Sequence, residues 1–365
     1  MNQIIHEKLQ VFVENTVKSD RQIRNCMLLV SSGDERFHWT GAAGLADEEK
    51  CVKISTETPF FLASITKLFT AVVVMQLYED GLLNLNDNIV DYLPGNLVNG
   101  IHIYKGIDYT NRIQIQHLLS HTSGIADYYT KAPKGERSFM DILLAEPDRE
   151  WTVEDTIVWA REKLEPSFAP GEKAEYSDTN FQLLGFIIEK VTGKALHDVY
   201  LEYIFGPAGM KHSCLYTRSE PIEAAIAAPA HLYYKDLDLT FHKAYESSWA
   251  DGGIISTMED CLKFFKTLNS GKLIKDKTNI DMMHQWRPIF FPIQYGFGTM
   301  YYKLSRLMSP FFAIPGVWGH SGSTGSFLFY CEEQDLYLVG SINQAKNPGK
   351  PFQMMAKILN VTKNL

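Results

Sequence analysis

Apolar positions recur at helical spacing in five stretches of the chain. Residues 3–18 read as an amphipathic helix with Ile4, Leu9, Val11, Phe12 and Val17 as its apolar members. A second helix is predicted over about 64–80, with Gly81 in the usual C-terminal capping position. A third covers about 178–191: Leu183, Leu184, Ile187, Ile188 and Val191 share a side, and Gly193 lies just past its end. A fourth begins near Ser256, where Ser256-Thr257-Met258-Glu259 has the form of a capping box. A last helix is predicted over roughly 351–361.

Strand character is confined to the two ends. Residues 26–31 and 36–40 read as strands around the turn Ser32-Gly33-Asp34. Residues 326–331 and 336–342 form a second pair, separated by Glu332-Glu333-Gln334-Asp335 as a hairpin connection. The middle of the chain is helical and loop-rich. This order predicts an α/β (α+β) fold, an antiparallel sheet built from both chain ends and flanked by helices, with a mainly helical lobe inserted. The expected organisation is one domain of two lobes: an α/β lobe of about 1–75 and 240–365, and a helical lobe of about 76–239. A cleft between such lobes is a natural place for a site.

The 365 residues are 45% hydrophobic, enough for a sizeable core, and nothing in the composition points to disorder. The formal net charge is -8 and no basic stripe is present, which argues against broad nucleic-acid binding. Cys26, Cys51, Cys214, Cys261 and Cys331 are odd in number, far apart and form no C-x-x-C pair. That pattern argues against a zinc site or a disulfide framework and for a reducing compartment. Glu7, Lys8, Glu14, Lys18 and Asp20 interrupt the first twenty residues, which therefore lack the apolar stretch of a signal peptide. No apolar run reaches the length of about 18 residues that a membrane span needs. As the sequence stands, the expectation is a cytoplasmic protein.

Several signatures are absent: G-x-S-x-G, a Walker A loop, H-E-x-x-H and a complete G-x-G-x-x-G. What remains is Ser64-Ile65-Thr66-Lys67 at the start of the second helix. Residues three apart share a helix face, so the Lys67 ammonium can reach the Ser64 hydroxyl. The first turn also favours developing negative charge. A serine hydroxyl needs a neighbour to take its proton, and a lysine among Phe60, Phe61, Leu62 and Leu68 is expected to have a lowered pKa and to serve. S-x-x-K by itself arises about once by chance in a chain of this length.

Two further segments carry candidate chemistry. Tyr176-Ser177-Asp178 precedes a helix, so the Tyr176 phenol can point into a cleft and carry protons. Asp178 fits the N-cap of that helix equally well, and Tyr176 fits a packed boundary position. In Gly319-His320-Ser321-Gly322-Ser323-Thr324-Gly325, small residues let a substrate backbone approach a strand edge, and an N–H there can join that of Ser64 in an oxyanion hole. The same segment also reads as a glycine-rich turn with a solvated His320. Tyr128, Tyr129, Tyr295 and Trp318 are candidate pocket residues that fit core or rim positions equally well.

Taken together, the three segments resemble the serine β-lactamase and penicillin-binding-protein superfamily, which is read by S-x-x-K, then Y-x-N, then K-T-G or H-x-G. They stand in that order as Ser64–Lys67, Tyr176–Asp178 and His320–Gly322. Gln116-His117-Leu118-Leu119-Ser120-His121-Thr122-Ser123-Gly124, Pro170-Gly171-Glu172, Gly252-Gly253 and Tyr295-Gly296-Phe297-Gly298 also look like segments of that family. The resemblance covers roughly 20–345 and is nearest to the branch of class C β-lactamases, DD-peptidases and family VIII esterases. It implies a β-lactamase/transpeptidase-like fold and hydrolysis through an acyl-enzyme, with no metal and no cofactor. Ser64 would be the nucleophile, and Lys67 and Tyr176 the acid–base pair. The N–H groups of Ser64 and Ser323 would form the oxyanion hole, and Asp178, His320, Ser321 and Gly322 would bind substrate. The implied partner is a small-molecule or short-peptide substrate. Two departures stand out: Asp178 replaces the usual Asn, and His320 replaces the Lys of K-T-G, which removes a permanent positive charge. Both weaken the case for an efficient β-lactamase and fit a D-amino-acid peptidase or an esterase at least as well. The competing reading is a non-hydrolytic penicillin-binding, sensing or scaffold relative.

Overall fold

The computed structural model describes residues 2–304, 314–363 and 365. Its centre is an antiparallel sheet of nine strands among the described residues. The N-terminal part supplies β1 (Asn25–Ser32), β2 (His38–Asp47) and β3 (Val52–Lys53). The C-terminal part supplies β4 (Arg287–Phe290), β5 (Ile293–Tyr295), β6 (Met300–Leu304), β7 (Ile314–Ser321), β8 (Phe327–Cys331) and β9 (Leu336–Ser341). The order β4-β5-β6-β7-β8-β9-β1-β2-β3 joins the two ends where β9 pairs with β1, from Met27↔Ser341 to Ser32↔Leu336. The expected sheet built from both chain ends is therefore present, and its two terminal hairpins lie where alternation put them.

Two strand readings change. β2 runs to Asp47 rather than ending near residue 40, because its second half is Gly41-Ala42-Ala43-Gly44. Small residues give no alternating signal, yet their backbone completes the ladder with β1 as far as Asn25↔Gly44. Strands β4 to β7 were not expected. β4 to β6 are short, β4 and β7 contain proline or glycine, and tertiary pairing rather than local pattern holds all four.

Five helices position the rest: α1 (Asn2–Lys18), α2 (Thr66–Glu79), α3 (Asp178–Thr192), α4 (Met258–Asn269) and α5 (Lys350–Thr362). The face α1 buries is Ile5, Leu9, Val13 and Thr16; of the expected apolar members Leu9 is in the core, while Ile4 and Val11 are exposed. α1 and α5 share a core cluster with β1 and β9, through Leu9, Val30, Leu338 and Met355. α2 is buried almost all round, as expected of a helix packed on both sides, and Phe69 stacks on Phe264 of α4 at 3.8 Å. Thr257 caps α4 by accepting the Asp260 N–H, and Ser256 belongs to a short strand, so the capping-box reading is off by one residue. No helix among the described residues is long and apolar enough to cross a membrane.

Candidate active site

Ser64 sits in a single 3-10 turn, Ala63–Ile65, just ahead of α2 rather than inside it. The strand Phe60–Phe61 pairs with Ile254–Ser256, and Leu62 N–H donates to the Ile254 carbonyl. Ala63 then takes a left-handed φ of 48°, a conformation that costs a non-glycine residue roughly 1–3 kcal/mol. The Gly322 segment is docked on this turn. Ser326 Oγ donates to the Leu62 carbonyl at 2.8 Å and Thr324 Oγ1 to the Phe61 carbonyl at 3.0 Å. A Cβ on Gly322 would lie 2.4 Å from the Leu62 carbonyl oxygen and 2.2 Å from Ser326 Oγ, so only glycine permits the approach.

On the next turn of helix, Lys67 is wholly buried. Its ammonium donates to Ser64 Oγ at 3.1 Å and to the Asp251 carbonyl at 2.7 Å, and it is ion-paired with Asp178. It also lies 5.1 Å from the centre of the Tyr176 ring. Burial pulls the lysine pKa down, but the negative charges of Asp178 and Asp251 outweigh it, and the net shift is upward. The expected lowered pKa is thereby corrected: apolar neighbours are present, but so is a carboxylate from a distant part of the chain.

Asp178 is that carboxylate. Ser177 occupies the N-cap of α3 and makes no side-chain cap, while Asp178 is the first helical residue with its side chain turned to Lys67. The N-cap reading of Asp178 is therefore overturned. The Asp178 N–H donates to Asp127 Oδ1 at 2.9 Å. Asp127 is buried, and burial together with the charge of Asp178 pushes its carboxyl up to about 7. Asp251 accepts from the Tyr128 hydroxyl at 2.7 Å, and burial raises it to about 6 against the pull of Lys67. Tyr176 is driven well above the usual phenol range by burial first and by Asp178 second, so it rests as the neutral phenol. Its hydroxyl is buried and makes no full hydrogen bond among the described residues.

These groups open onto a cavity of about 540 Å³. Ser64, Tyr176 and Asp178 line it, as do Ser321, Gly322 and Ser323, so six of the expected site residues face one space while Lys67 lies just behind Ser64. β7 overhangs its neighbour here: β6 pairs only as far as Gly319, leaving one backbone edge of Ser321 unmatched. The Ser323 N–H has no acceptor among the described residues. Tyr128 and Tyr129 line the cavity too.

His320 and Tyr295 do not. Both are completely buried behind the wall and hydrogen-bonded to each other at 3.0 Å. The solvated His320 is thus corrected, as is its placement against substrate: alternation along β7 sends Ser321 to the cavity and His320 inward. Burial lowers the His320 pKa to about 3, with Lys67 acting in the same direction. Trp318 packs edge-on to Phe265 at 4.7 Å, in the core. Sequence reasoning missed Asp127, Asp251 and the wholly buried His121, whose ring lies 4.3 Å from that of Tyr176. Asp251 directly precedes Gly252-Gly253 and Asp127 follows Gly124 by three residues, so position beside those segments was the available signal. No metal-holding group of three or more His, Cys, Asp or Glu occurs among the described residues.

A family model described as Beta-lactamase matches residues 5–362. Penicillin-binding protein 4* of Bacillus subtilis (strain 168) is 29% identical over 282 residues, which are 73% of this chain and 57% of that protein. The chain spans 57%, 38% and 36% of the first curated relatives it matches. Among solved structures, a D-stereospecific amidohydrolase from Streptomyces sp. is 27% identical, with a TM-score of 0.72 over 93% of this chain and 95% of its own. The D-amino acid amidase of Ochrobactrum anthropi SV3, solved with L-phenylalanine amide, has a TM-score of 0.80 at 22% identity over 99% of both chains.

Proposed function

The chain belongs to the Beta-lactamase family, and from that premise we propose that it hydrolyses amide or ester bonds through an acyl-enzyme on Ser64. The observation that carries the reading is the 3.1 Å contact of Lys67 Nζ with Ser64 Oγ at the wall of a substrate-sized cavity. At rest the Asp178 pair keeps Lys67 protonated, so the amine that accepts the Ser64 proton is a minor form whose share grows with pH. Ser64 Oγ then attacks the carbonyl carbon, and its proton passes to the Lys67 amine. The N–H groups of Ser64 and Ser323 hold the oxyanion. Tyr176 gives its proton to the leaving amine or alkoxide and regains one from Lys67. Water repeats the sequence on the acyl-enzyme and releases the acid. In the same reading the chain is one catalytic domain of two lobes, about 1–75 with 240–365 and about 76–239, with Ser64 at their junction.

Charge and shape narrow the substrate. Asp127, Asp178 and Asp251 line the cavity, and no Lys, Arg or His does among the described residues. A substrate carboxylate finds no cation there, whereas an uncharged ester or the free amine of an amino-acid amide meets no repulsion. Apolar side chains line the same cavity, among them Met140, Leu232, Tyr245, Ile293, Met300 and Phe352. D-Amino-acid amides and short esters with an apolar or aromatic acyl part are therefore the favoured substrates, with slow turnover of β-lactams.

Intact-mass measurement after a fluorophosphonate, together with kcat/KM for nitrocefin, a short p-nitrophenyl ester and D-phenylalanine amide, tests both levels. The expected result is one adduct, lost in Ser64→Ala, and a ranking with nitrocefin last. Near-wild-type hydrolysis by Ser64→Ala would sink the assignment. Nitrocefin turnover near the diffusion limit would instead make the protein a true β-lactamase.

A further inference from the structure

The tautomers of two buried histidines can be read from their partners. His320 Nδ1 lies 2.7 Å from the Ser321 carbonyl oxygen, which only accepts, so Nδ1 carries the proton. The ring is fully buried and neutral, so Nε2 has only a lone pair to offer. The 3.0 Å contact with Tyr295 Oη therefore has one direction: the Tyr295 O–H donates to His320 Nε2. His121 is fixed in the opposite sense. Ser123 Oγ donates to Asn180 Oδ1 at 2.7 Å, which turns the Asn180 amide nitrogen toward His121 Nδ1 at 3.1 Å. The Ser177 N–H also donates to that Nδ1, at 3.3 Å, so His121 carries its proton on Nε2.

Tyr176 packs against His121 and against Tyr295, the partner of His320. Its ring lies against His121 at 4.3 Å, and Tyr295 meets it edge-on at 5.9 Å and 86°. Tyr295 and His121 touch each other at 4.5 Å, so the proposed proton carrier closes a box of three rings with them. The box is anchored on β7, the strand that presents Ser321 to the cavity and His320 to the interior.

We propose that His320 and Tyr295 are positioning residues, which hold Tyr176 through a one-way hydrogen bond and ring packing, and that neither contacts substrate. The role rests on the acyl-serine reading above. The third sequence segment then has two separate duties. Ser321 to Ser323 face the substrate, and His320 sets the proton carrier from behind, so the oxyanion wall and the acid–base group share one strand.

The test uses Tyr295→Phe, His320→Gln, His320→Leu and the double variant Tyr295→Phe/His320→Gln, with kcat and KM measured on p-nitrophenyl acetate and on nitrocefin. The ester has no carboxylate and nitrocefin has one. Tyr295→Phe keeps the ring and loses only the donor, so the fold is expected to survive. Its kcat is expected to fall roughly tenfold to a hundredfold on both substrates, with KM little changed, as for a small misplacement of a reacting group. The amide oxygen of His320→Gln can accept in place of Nε2, so that variant is expected to keep more activity than His320→Leu. The double variant is expected to lose little more than Tyr295→Phe alone. A rise in KM for nitrocefin only, on replacing His320, would make it a carboxylate contact and overturn the proposal. An unchanged kcat in Tyr295→Phe would overturn it as well. Absence of any Ser64 acylation in the wild type is a different failure, which overturns the acyl-serine reading and this role with it.

Discussion

Replacing Asp178 by asparagine removes one charge and leaves the shape of the site almost unchanged. In the wild type the Asp178 carboxylate is the largest influence holding Lys67 protonated against burial. Breaking a buried pair costs about 3–5 kcal/mol when the surviving charge is left uncompensated. Lys67 keeps its bonds to the Asp251 carbonyl and to Ser64 Oγ, and it can shed its proton, so the lower end applies. At about 2.1 cal/mol/K of unfolding entropy per residue, a fold of 365 residues loses roughly 4 °C of Tm for 3 kcal/mol. The sign with pH follows from the raised lysine. Its stabilisation is complete below the unfolded lysine value of about 10.4 and disappears as pH rises through the higher folded value. The variant should therefore be less stable than wild type at neutral pH, with the gap closing in strong alkali. Catalysis should move the other way. With burial less opposed, the amine form of Lys67 becomes accessible at lower pH, and the acidic limb of kcat/KM on a p-nitrophenyl ester shifts downward. Profiles of both proteins, normalised at their maxima and run from about pH 5 to about pH 10 beside thermal melts, provide the comparison. An acidic limb that coincides with wild type, or moves upward, would refute the claim that Asp178 sets the protonation of Lys67.

Lys67→Ala and Tyr176→Phe should each slow acylation by orders of magnitude, and the double variant should lose far less than the product, as read by single-turnover labelling; strict multiplicativity would mean the two do not act as one unit. Gly322→Ala should cost about 1–3 kcal/mol of stability by urea denaturation, because the new methyl meets the Leu62 carbonyl and Ser326 Oγ, and acylation of Ser64 should slow with it. Stability should also fall as pH drops below about 6.5. His320, held near 3, loses about 1.4 kcal/mol per pH unit below the unfolded value of about 6.5, and the depressed His102, His117, His121 and His284 act in the same direction. Asp127 and Asp251, raised to about 7 and about 6, offset part of that loss until unfolded carboxyls also protonate. A urea midpoint that stays level or rises from about pH 6.5 to about pH 4 would show that the buried histidines are not held neutral in the fold.

What was legible in the chain divides by the distance over which each feature is decided. Ser64 and Lys67 are three residues apart on adjoining turns of helix, so local geometry alone brings ammonium to hydroxyl. The hairpin between β8 and β9 is equally local, since its alternation and its four-residue connection are both written in one short stretch. Asp178 marks the boundary. Its position at the start of α3 follows from sequence, but a capping carboxylate and one turned toward a lysine 111 residues earlier look the same until the two helices meet. The charge state of Lys67 was misjudged for that reason: neighbours along the chain are apolar, and those that decide its proton, Asp178 and Asp251, arrive from elsewhere. His320 extends the point from charge to role. Next to glycines and serines it reads as a turn residue facing solvent or ligand, and only the pairing of β7 with β6 and β8 turns it inward against Tyr295. A segment of this kind names the strand that carries the chemistry, while the two-residue alternation of that strand decides which of its side chains meet the substrate and which hold the machinery in place.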